Sequence, residues 1–358
     1  MQCSKITLSV VALMLLTLWG CVRREKPISS SSTHTHYAQL FALEAEGDGV
    51  IFLDGPERET WVPQGDGISS DKASPRYVCL SSTHIAFLSS LGEAAHIVGT
   101  PDSSYIFNED VKKRIREGLA QVVTFGGGVN SELIFELRPT VIFADRMRAN
   151  EMEMFEDKGI NVVYVEEYRE ASPLARTEWL RVFGRIAGKA AFADSLFTHI
   201  EKAYEEVAEK VKAQVTTHFT IFGGMAYQGV WYVSGGGSYI ARLYEDAGAE
   251  YLFADNTRSA SIPLDFEAVY EKGSAADFWR IVYGSSDSVT YEQLATLNRH
   301  YKDFPAFKSK RVLLCNPTQS AYFEQGVVEP QVILSDLVFA LYPQLLTGYK
   351  PKYYYLLP

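Results

Sequence analysis

The chain has 358 residues, of which 47% are apolar and 22% charged, and its formal net charge is −10. That length accommodates two domains or one large one, with apolar content enough for a real core. The acidic balance, with no basic stripe along the sequence, argues against nucleic acid as a partner.

At the N-terminus Lys5 precedes "ITLSVVALMLLTLWG", an apolar run too short for a comfortable membrane span, which ends at Gly20 ahead of Cys21. This order of basic, apolar and small residues before a cysteine resembles a bacterial lipoprotein signal, with Leu18, Trp19, Gly20 and Cys21 at the lipobox positions. The resemblance implies a signal peptide over residues 1–20 and a diacylated Cys21 as the first residue of the mature chain. Two or three acyl chains hold a protein at a membrane stably, where one does not. Residues 21–36, "CVRREKPISSSSTHTH", are polar and rich in serine, as suits a tether. The basic charges just after Cys21 favour retention at the inner membrane.

Residues 37–75 alternate apolar and polar positions around Gly and Asp-Gly breaks, which predicts a small β-hairpin or meander. From Arg76 the pattern changes to strands alternating with helices. "RYVCLS" reads as a strand, "STHIAFLSSLG" as a helix ended by Gly92, "AHIVGT" as a strand, and "NEDVKKRIREG" as a helix closed by Gly118. "SELIFELRP" is a short helix stopped by Pro139, "TVIFA" a strand, "NEMEMFEDKG" a helix and "INVVYVE" a strand. Such alternation over 76–188 predicts a mostly parallel sheet covered on both faces.

The alternation then stops. Ala193, Phe197, Ile200, Tyr204, Val207 and Val211 follow a 4-3-4-3-4 spacing within 189–215, with no Gly or Pro between Lys189 and Val215. That is one continuous helix, long enough to span a small domain. Strands and helices resume over 216–358. "HFTIFG" and "GVWYVS" are strands, "SYIARLYEDAG" and "DFEAVYEKG" helices, "DFWRIVYG" and "KRVLLCN" strands, and "PQVILSDLVFALYP" a closing helix. The expected fold is therefore α/β: two lobes with mostly parallel sheets joined by a single long α-helix, plus a small N-terminal β region.

Several chemistries have no support. Removing the signal and lipidating Cys21 leaves Cys79 and Cys315, both in apolar strand-like runs where cysteine behaves as a small buried hydrophobe. A disulfide between them is left open, and no cysteine spacing suggests zinc. "FGGGVN" and "VSGGGSY" lack the Lys-Ser/Thr of a phosphate loop and the spacing of a dinucleotide site, so they read as turns. No G-x-S-x-G elbow occurs. No cofactor is expected.

One segment type occurs twice. "NSELIFELRP" and "LDFEAVYEKG" both read E-x-x-x-E with apolar residues between the glutamates, each a short helix leading into a strand. Ser131 and Asp265 occupy the positions where helix N-caps belong.

This organisation resembles the class III periplasmic substrate-binding proteins of ABC importers, the receptors for iron–siderophores, haem and cobalamin. The resemblance runs from Arg76 to the C-terminus. It is carried by "RYVCLSSTHIAFLSSLGEAAHIVGT", "GGGVNSELIFELRPTVIFA", the joining helix, "GVWYVSGGGSYIARLYEDAGAEYL" and "VEPQVILSDLVFALYP", the last two similar to a lipoprotein branch common in Bacteroidota. It implies a monomeric receptor, not an enzyme, that hands a metal chelate or corrinoid to an ABC permease dimer and its ATPase subunits. The family's permease-docking glutamates, one per lobe, fall on Glu132 and Glu267, with Glu136 and Glu271 one turn further along as weaker candidates. The ligand is expected in the cleft between the lobes. Candidates in lobe one are Ser81, Ser82, Thr83, His84, Tyr105, Phe125, Arg146 and Arg148, and in lobe two Tyr227, Trp231, Tyr232, Tyr239 and Phe323. Aromatic rings would stack on a macrocycle or catecholate, and arginines would pair with an anionic chelate. The rival reading is a chelatase or other tetrapyrrole-processing enzyme on a similar fold. It would need a metal-ligating histidine beside a carboxylate, and His84 has no acidic partner near it in sequence.

Overall fold

The computed structural model describes residues 35–44, 49–53, 59–61 and 74–358; the signal peptide, Cys21 and most of the expected tether lie outside them. Three short strands, β1 (Phe41–Leu43), β2 (Val50–Phe52) and β3 (Glu59–Trp61), form an antiparallel meander. Phe41 and Phe52 pack on Trp179, with ring centroids 5.0 and 6.0 Å away, so the meander completes the core of lobe one. The chain entering it is also pinned. Glu178 accepts the backbone N–H groups of His36, Tyr37 and Ala38 at 2.9, 2.9 and 2.8 Å. Glu170 accepts those of Gln39 and Leu40 at 3.0 and 3.2 Å. His36, expected as the end of the tether, is thus already part of the folded body.

Lobe one continues through β4 (Tyr77–Cys79), α1 (Ser82–Ser90), β5 (Ile97–Thr100), α2 (Glu109–Arg116) and β6 (Gln121–Val122). A hairpin of β7 (Thr124–Phe125) and β8 (Gly128–Val129) follows, then α3 (Ser131–Leu137), β9 (Val141–Ala144), α4 (Ala149–Glu156) and β10 (Asn161–Tyr164). The main sheet has the order β10-β9-β4-β5-β6, and every pairing in it is parallel. Along β4 Tyr77 and Cys79 enter one apolar cluster with α1, while Val78 and Leu80 enter the other with α3 and α4. Burial on both faces is why these strands read as nearly unbroken apolar runs. At α3 the cap is Asn130, one residue before the expected Ser131; its side chain accepts the N–H of Leu133 at 3.1 Å. Arg138 closes α3 in the left-handed region, at φ 48°, and Pro139 prevents continuation.

Two short helices that the periodicity did not reveal, α5 (Pro173–Glu178) and α6 (Leu180–Ile186), lead into α7 (Ala190–Gln214). The connecting helix has 25 residues, about 37 Å at the usual rise. Its apolar stripe is the expected one, with Ala193, Phe197, Ile200, Tyr204 and Val211 buried. The stripe serves both lobes: Ala193 and Ile200 belong to the core of lobe one, Tyr204 and Val211 to that of lobe two. Gly184 permits the packing of α6 on α7, since a Cβ there would stand 2.2 Å from the Cβ of Ala193.

Lobe two comprises β11 (Phe219–Gly223), β12 (Ala226–Tyr227), β13 (Val230–Val233), α8 (Tyr239–Asp246), β14 (Ala249–Tyr251), β15 (Ile262–Leu264), α9 (Phe266–Gly273) and β16 (Phe278–Val282). It ends with α10 (Tyr291–Leu297), α11 (Pro305–Lys308), β17 (Val312–Cys315), α12 (Tyr322–Gln325), α13 (Pro330–Leu341) and β18 (Tyr354–Leu356). Its main sheet, β14-β11-β16-β17-β18, is parallel except for β18, which adds antiparallel at the edge. The buried Asp336 of α13 holds that edge in place, accepting the backbone N–H groups of Lys352, Tyr353 and Tyr354 at 3.0, 2.6 and 2.9 Å. The "GVWYVS" strand lies outside the main sheet, in a small antiparallel one of order β12-β13-β15.

Cys79 and Cys315 sit in different sheets, and both thiols are free and fully buried, so they form no disulfide. Burial pushes both thiols up, that of Cys315 to about 12, so neither is a thiolate at neutral pH. The run Gly235–Gly237 is explained by close approach rather than by a ligand. A Cβ on Gly235 would stand 1.9 Å from the carbonyl oxygen of Arg258.

Candidate functional site: the cleft between the lobes

In open α/β sheets the ends of the parallel strands are where ligands bind, because helices begin there and loops are free to vary. In this protein the C-terminal strand ends of the two lobes face each other. Ser82, after β4, donates to the carbonyl oxygen of Phe323, after β17, at 3.1 Å. The rings of Tyr105, after β5, and Phe323 meet edge to face at 5.1 Å. Beside them the buried carboxylate of Glu324 accepts the N–H groups of Phe107 and Asn108, and Thr177 donates to the carbonyl of Val327 at 2.7 Å. The segment 322–328 of lobe two thus forms a floor that is hydrogen-bonded to lobe one.

The remaining exposed candidates are divided between the two lobes. On lobe one, Phe125 at the β7–β8 hairpin is 64% exposed, and Tyr105 is also open to solvent. Arg146 follows β9, with its guanidinium 4.7 Å from the ring centroid of Tyr164 and its backbone N–H 2.7 Å from Glu166 Oε1. Arg148 donates to the carbonyl of Gly127 at 3.0 Å and lies 3.5 Å from carboxylate oxygens of Asp145 and Glu151, which ties the hairpin to the β9 loop. On lobe two, Tyr227 is 67% and Tyr232 46% exposed, and Phe323 stands on the floor. Tyr227 pairs with Val230 in the register of β12 and β13, so Tyr227 and Tyr232 lie on one face of the small sheet.

Of the expected cleft residues, Trp231, His84 and Thr83 are buried and Tyr239 is half-buried. Trp231 lies on the opposite face to Tyr232 and is buried, its ring 5.6 Å from Trp279, 5.5 Å from Tyr301 and 5.7 Å from Phe304. Its indole N–H donates to the carbonyl of Gly223 at 3.1 Å, so it is a core residue. His84 is enclosed between Phe143 and Phe183, at 6.1 and 6.0 Å. Burial pushes its pKa down to about 3, partly offset by a hydrogen bond to the carbonyl of Phe143, so the imidazole is neutral at ordinary pH. Thr83 is buried at the start of α1, which Ser81 caps by accepting its N–H at 3.3 Å. Tyr239 is half-buried at the lobe junction, under the guanidinium of Arg176 at 4.1 Å.

Two exposed residues were missed in the sequence: Met147, 81% exposed after β9, and Tyr168, exposed after β10 with its hydroxyl 3.2 Å from Glu166 Oε2. Both follow strand ends, the same signal that singled out Arg146. Glu132 and Glu267 are exposed in the first turns of α3 and α9, capped by Asn130 and Asp265, and have no ion-pair partner among the described residues. Among the described residues no group of three or more His, Cys, Asp or Glu side chains is placed to hold a metal ion, and no helix is long and apolar enough to cross a membrane.

Known proteins show the same organisation. Residues 78–318 match the family model described as periplasmic binding protein. Two uncharacterized lipoproteins of Methanocaldococcus jannaschii, MJ0878 and MJ0872, are 26% and 28% identical; the matches cover 78% and 72% of this chain and 68% and 67% of theirs. A periplasmic binding protein from Veillonella parvula superposes with a TM-score of 0.65 at 13% identity, over 83% of this chain and 98% of that one. A periplasmic heme binding protein from Pseudomonas aeruginosa does so with a TM-score of 0.61 at 18% identity, over 77% and 94%. Such identities speak for the fold alone, and the fold is the same pair of α/β lobes on one long helix. Because the family model spans that helix and most of both lobes, the chain belongs to the periplasmic binding protein family, in its class III branch.

Proposed function

We propose that this protein is the lipid-anchored receptor of an ABC importer, capturing an iron chelate (siderophore or haem) or cobalamin in the interlobe cleft and presenting it to the permease. The observation that carries this reading is the contact of Tyr105 with Phe323 across the lobes, together with further exposed rings on each lobe. Tyr105, Phe125 and Tyr168 come from lobe one, and Tyr227, Tyr232 and Phe323 from lobe two. Exposed aromatics gathered at strand ends are costly to leave bare unless a flat or apolar ligand covers them. Arg146 and Arg148 both follow β9, and guanidinium groups suit the carboxylates of haem or of an anionic siderophore. A haem-binding protein among the structural neighbours and the lipoprotein relatives support the metal-chelate class and the anchor at Cys21. Anchoring there would hold the receptor on the periplasmic side of the inner membrane, with Glu132 and Glu267 free to meet arginines of the permease dimer.

The test is spectroscopic. Protein purified from its own host should carry a Soret, corrin or catecholate band, and the emptied protein should bind one of haem, cyanocobalamin or a ferric catecholate with quenching of its aromatic fluorescence. Absence of a chromophore, together with no binding of any of the three, would overturn the proposal.

A further inference from the structure

The segment 322–328 does more than touch lobe one. Tyr322 is planted in the core of lobe two, whereas Val327 and Val328 are buried in the core of lobe one. The segment therefore straps the two cores together, a second connection beside the one through α7. In its middle Glu324 is fully buried, and its carboxylate accepts the backbone N–H groups of Phe107 and Asn108, the residues that lead into α2. No cationic side chain bonds Glu324 among the described residues. Lys112, whose charge favours the carboxylate, donates instead to Glu109 at 3.0 Å.

Holding the lobes together does not need this charge. The two valines already bury apolar surface across the junction, and a buried carboxylate is harder to desolvate than an apolar residue of like volume. What the carboxylate adds is direction. Apolar contacts tolerate sliding, but two successive N–H groups satisfy a carboxylate in one position only, and displacement leaves the charge bare in a dry site. The neighbouring Phe323 is held in the same way, its carbonyl accepting from Ser82 Oγ at 3.1 Å and its ring meeting Tyr105 edge to face at 5.1 Å. Tyr105 lies two residues before Phe107. Glu324 and the N–H groups it binds thus flank, on each lobe, one ring of the pair that meets across the cleft.

We propose that Glu324 is a positioning residue: it fixes the angle between the lobes, and with it the placement of Tyr105 against Phe323. The consequence for binding rests on the reading of the cleft as the ligand site; the consequence for the angle does not. Without the carboxylate the junction keeps its apolar contacts but samples a range of angles, and a ligand must then select among them.

Hydrogen exchange on the full chain reads the contact directly. In the unaltered protein the amides of Phe107 and Asn108 should exchange at least about a hundredfold more slowly than exposed loop amides. Spin labels attached through a keto amino acid at Lys158 and Lys308, exposed on lobe one and lobe two, read the angle. Glu324→Met fills the same space without an acceptor, and should broaden the distance distribution at least about twofold. It should also weaken binding of haem, cyanocobalamin or a ferric catecholate, whichever the unaltered protein takes, by at least about tenfold. Glu324→Gln keeps an acceptor oxygen and should restore most of both, a rescue that space-filling alone does not predict. If Glu324→Met does not fold, exchange in the unaltered protein and in Glu324→Gln decides. A distribution as narrow in Glu324→Met as in the unaltered protein would overturn the proposal, as would Phe107 and Asn108 amides that exchange as fast as exposed loops. If the unaltered protein binds none of the three compounds, the ligand reading fails, while distance and exchange still decide the role of Glu324.

Discussion

Lobe one encloses an imidazole and lobe two a guanidinium, and the two cores accommodate them by opposite means. His84 sits between phenyl rings with its Nδ1 unpartnered, and it is tolerated because an imidazole can become neutral. Arg280 has no neutral form to adopt, and lobe two surrounds it with tyrosines: Tyr322 and Tyr354 accept its hydrogen bonds, and the Tyr244 ring lies 6.0 Å away. The matched architecture of the lobes therefore conceals different electrostatics. Around His84 the core of lobe one is aromatic, while around Arg280 lobe two relies on a hydrogen-bonded network of tyrosine hydroxyls.

The largest effect that separates these cores from the cleft is expected at two neighbouring residues of lobe two. Trp231→Ala removes the centre of an aromatic cluster and should lower stability by about 3–5 kcal/mol. Tyr232→Ala, on the solvent face of the same strand, should change stability by under about 0.5 kcal/mol while weakening ligand binding about tenfold. Chemical denaturation alongside ligand titration checks both. Equal destabilisation by the two substitutions would contradict the assignment of faces.

Next comes the network itself. Tyr354→Phe deletes one acceptor of a buried charge without changing shape, and should cost about 3 kcal/mol. His84→Leu removes the corresponding group of lobe one at similar volume and should cost no more than about 1.5 kcal/mol at pH 7.5. Melting curves of the two variants show whether the lobes differ in the stated direction.

The same contrast has a pH signature. The folded pKa of His84 lies at about 3, below the ordinary value of 6.5, because burial disfavours the charged ring. Between those values the unfolded chain binds a proton that the folded one does not, so the group destabilises the fold as pH falls from about 6.5 towards 3, by at most about 1.4 kcal/mol per pH unit. Glu324 and Asp336 act the other way: burial raises their pKa values, so their contribution weakens as pH rises through the carboxylate range. Comparing unaltered protein with His84→Leu cancels those carboxylates. The difference in stability between the two should move in favour of the variant as the solution is acidified, and a difference independent of pH would show that His84 titrates normally.

Much of this architecture is legible along the chain because its signals are local. The connecting helix announces itself through an uninterrupted 4-3-4-3-4 stripe, and the strands of the parallel sheets through apolar runs buried on both faces. What escaped reading depends on tertiary partners. The edge strand β18 is ordered by Asp336 far away in α13, and "YYYLL" alone carries no alternation that points to it. The helices α5 and α6 are buried on nearly every side, which erases the period, although Ser172 as a cap and Pro173 in the first turn were available as signals. The strand-end rule picked out Arg146, Tyr105 and Phe323, which do follow β9, β5 and β17, but could not choose between Trp231 and Tyr232. Both are aromatic, and only pairing with β12 and β15 decides which faces inward. His84 misled for a related reason. It follows a strand and begins a helix, as a cleft residue should, yet the first turn of α1 carries its side chain into the core.

The smallest effect on the isolated protein is expected where the lobes are most alike. Glu132 and Glu267 each stand exposed in the first turn of a capped helix, where a carboxylate favours the helix dipole by a few tenths of a kcal/mol. Glu132→Ala and Glu267→Ala should accordingly leave the melting temperature and the ligand dissociation constant almost unchanged. Their effect should appear only with the permease. An exposed carboxylate without an intramolecular partner is free to form a charge-assisted bond that becomes partly desolvated at an interface, and such a bond is worth more than a surface salt bridge. Two of them on separate lobes would set the orientation of the receptor over the permease dimer. Uptake should therefore fall in each single variant, further in the double one, and furthest on reversal to arginine, which adds repulsion. Single variants with equal defects would mean that the permease reads both lobes alike; a defect confined to one would assign docking to that lobe. If the folded, loaded double alanine variant is imported at the normal rate, these glutamates serve only their own helices.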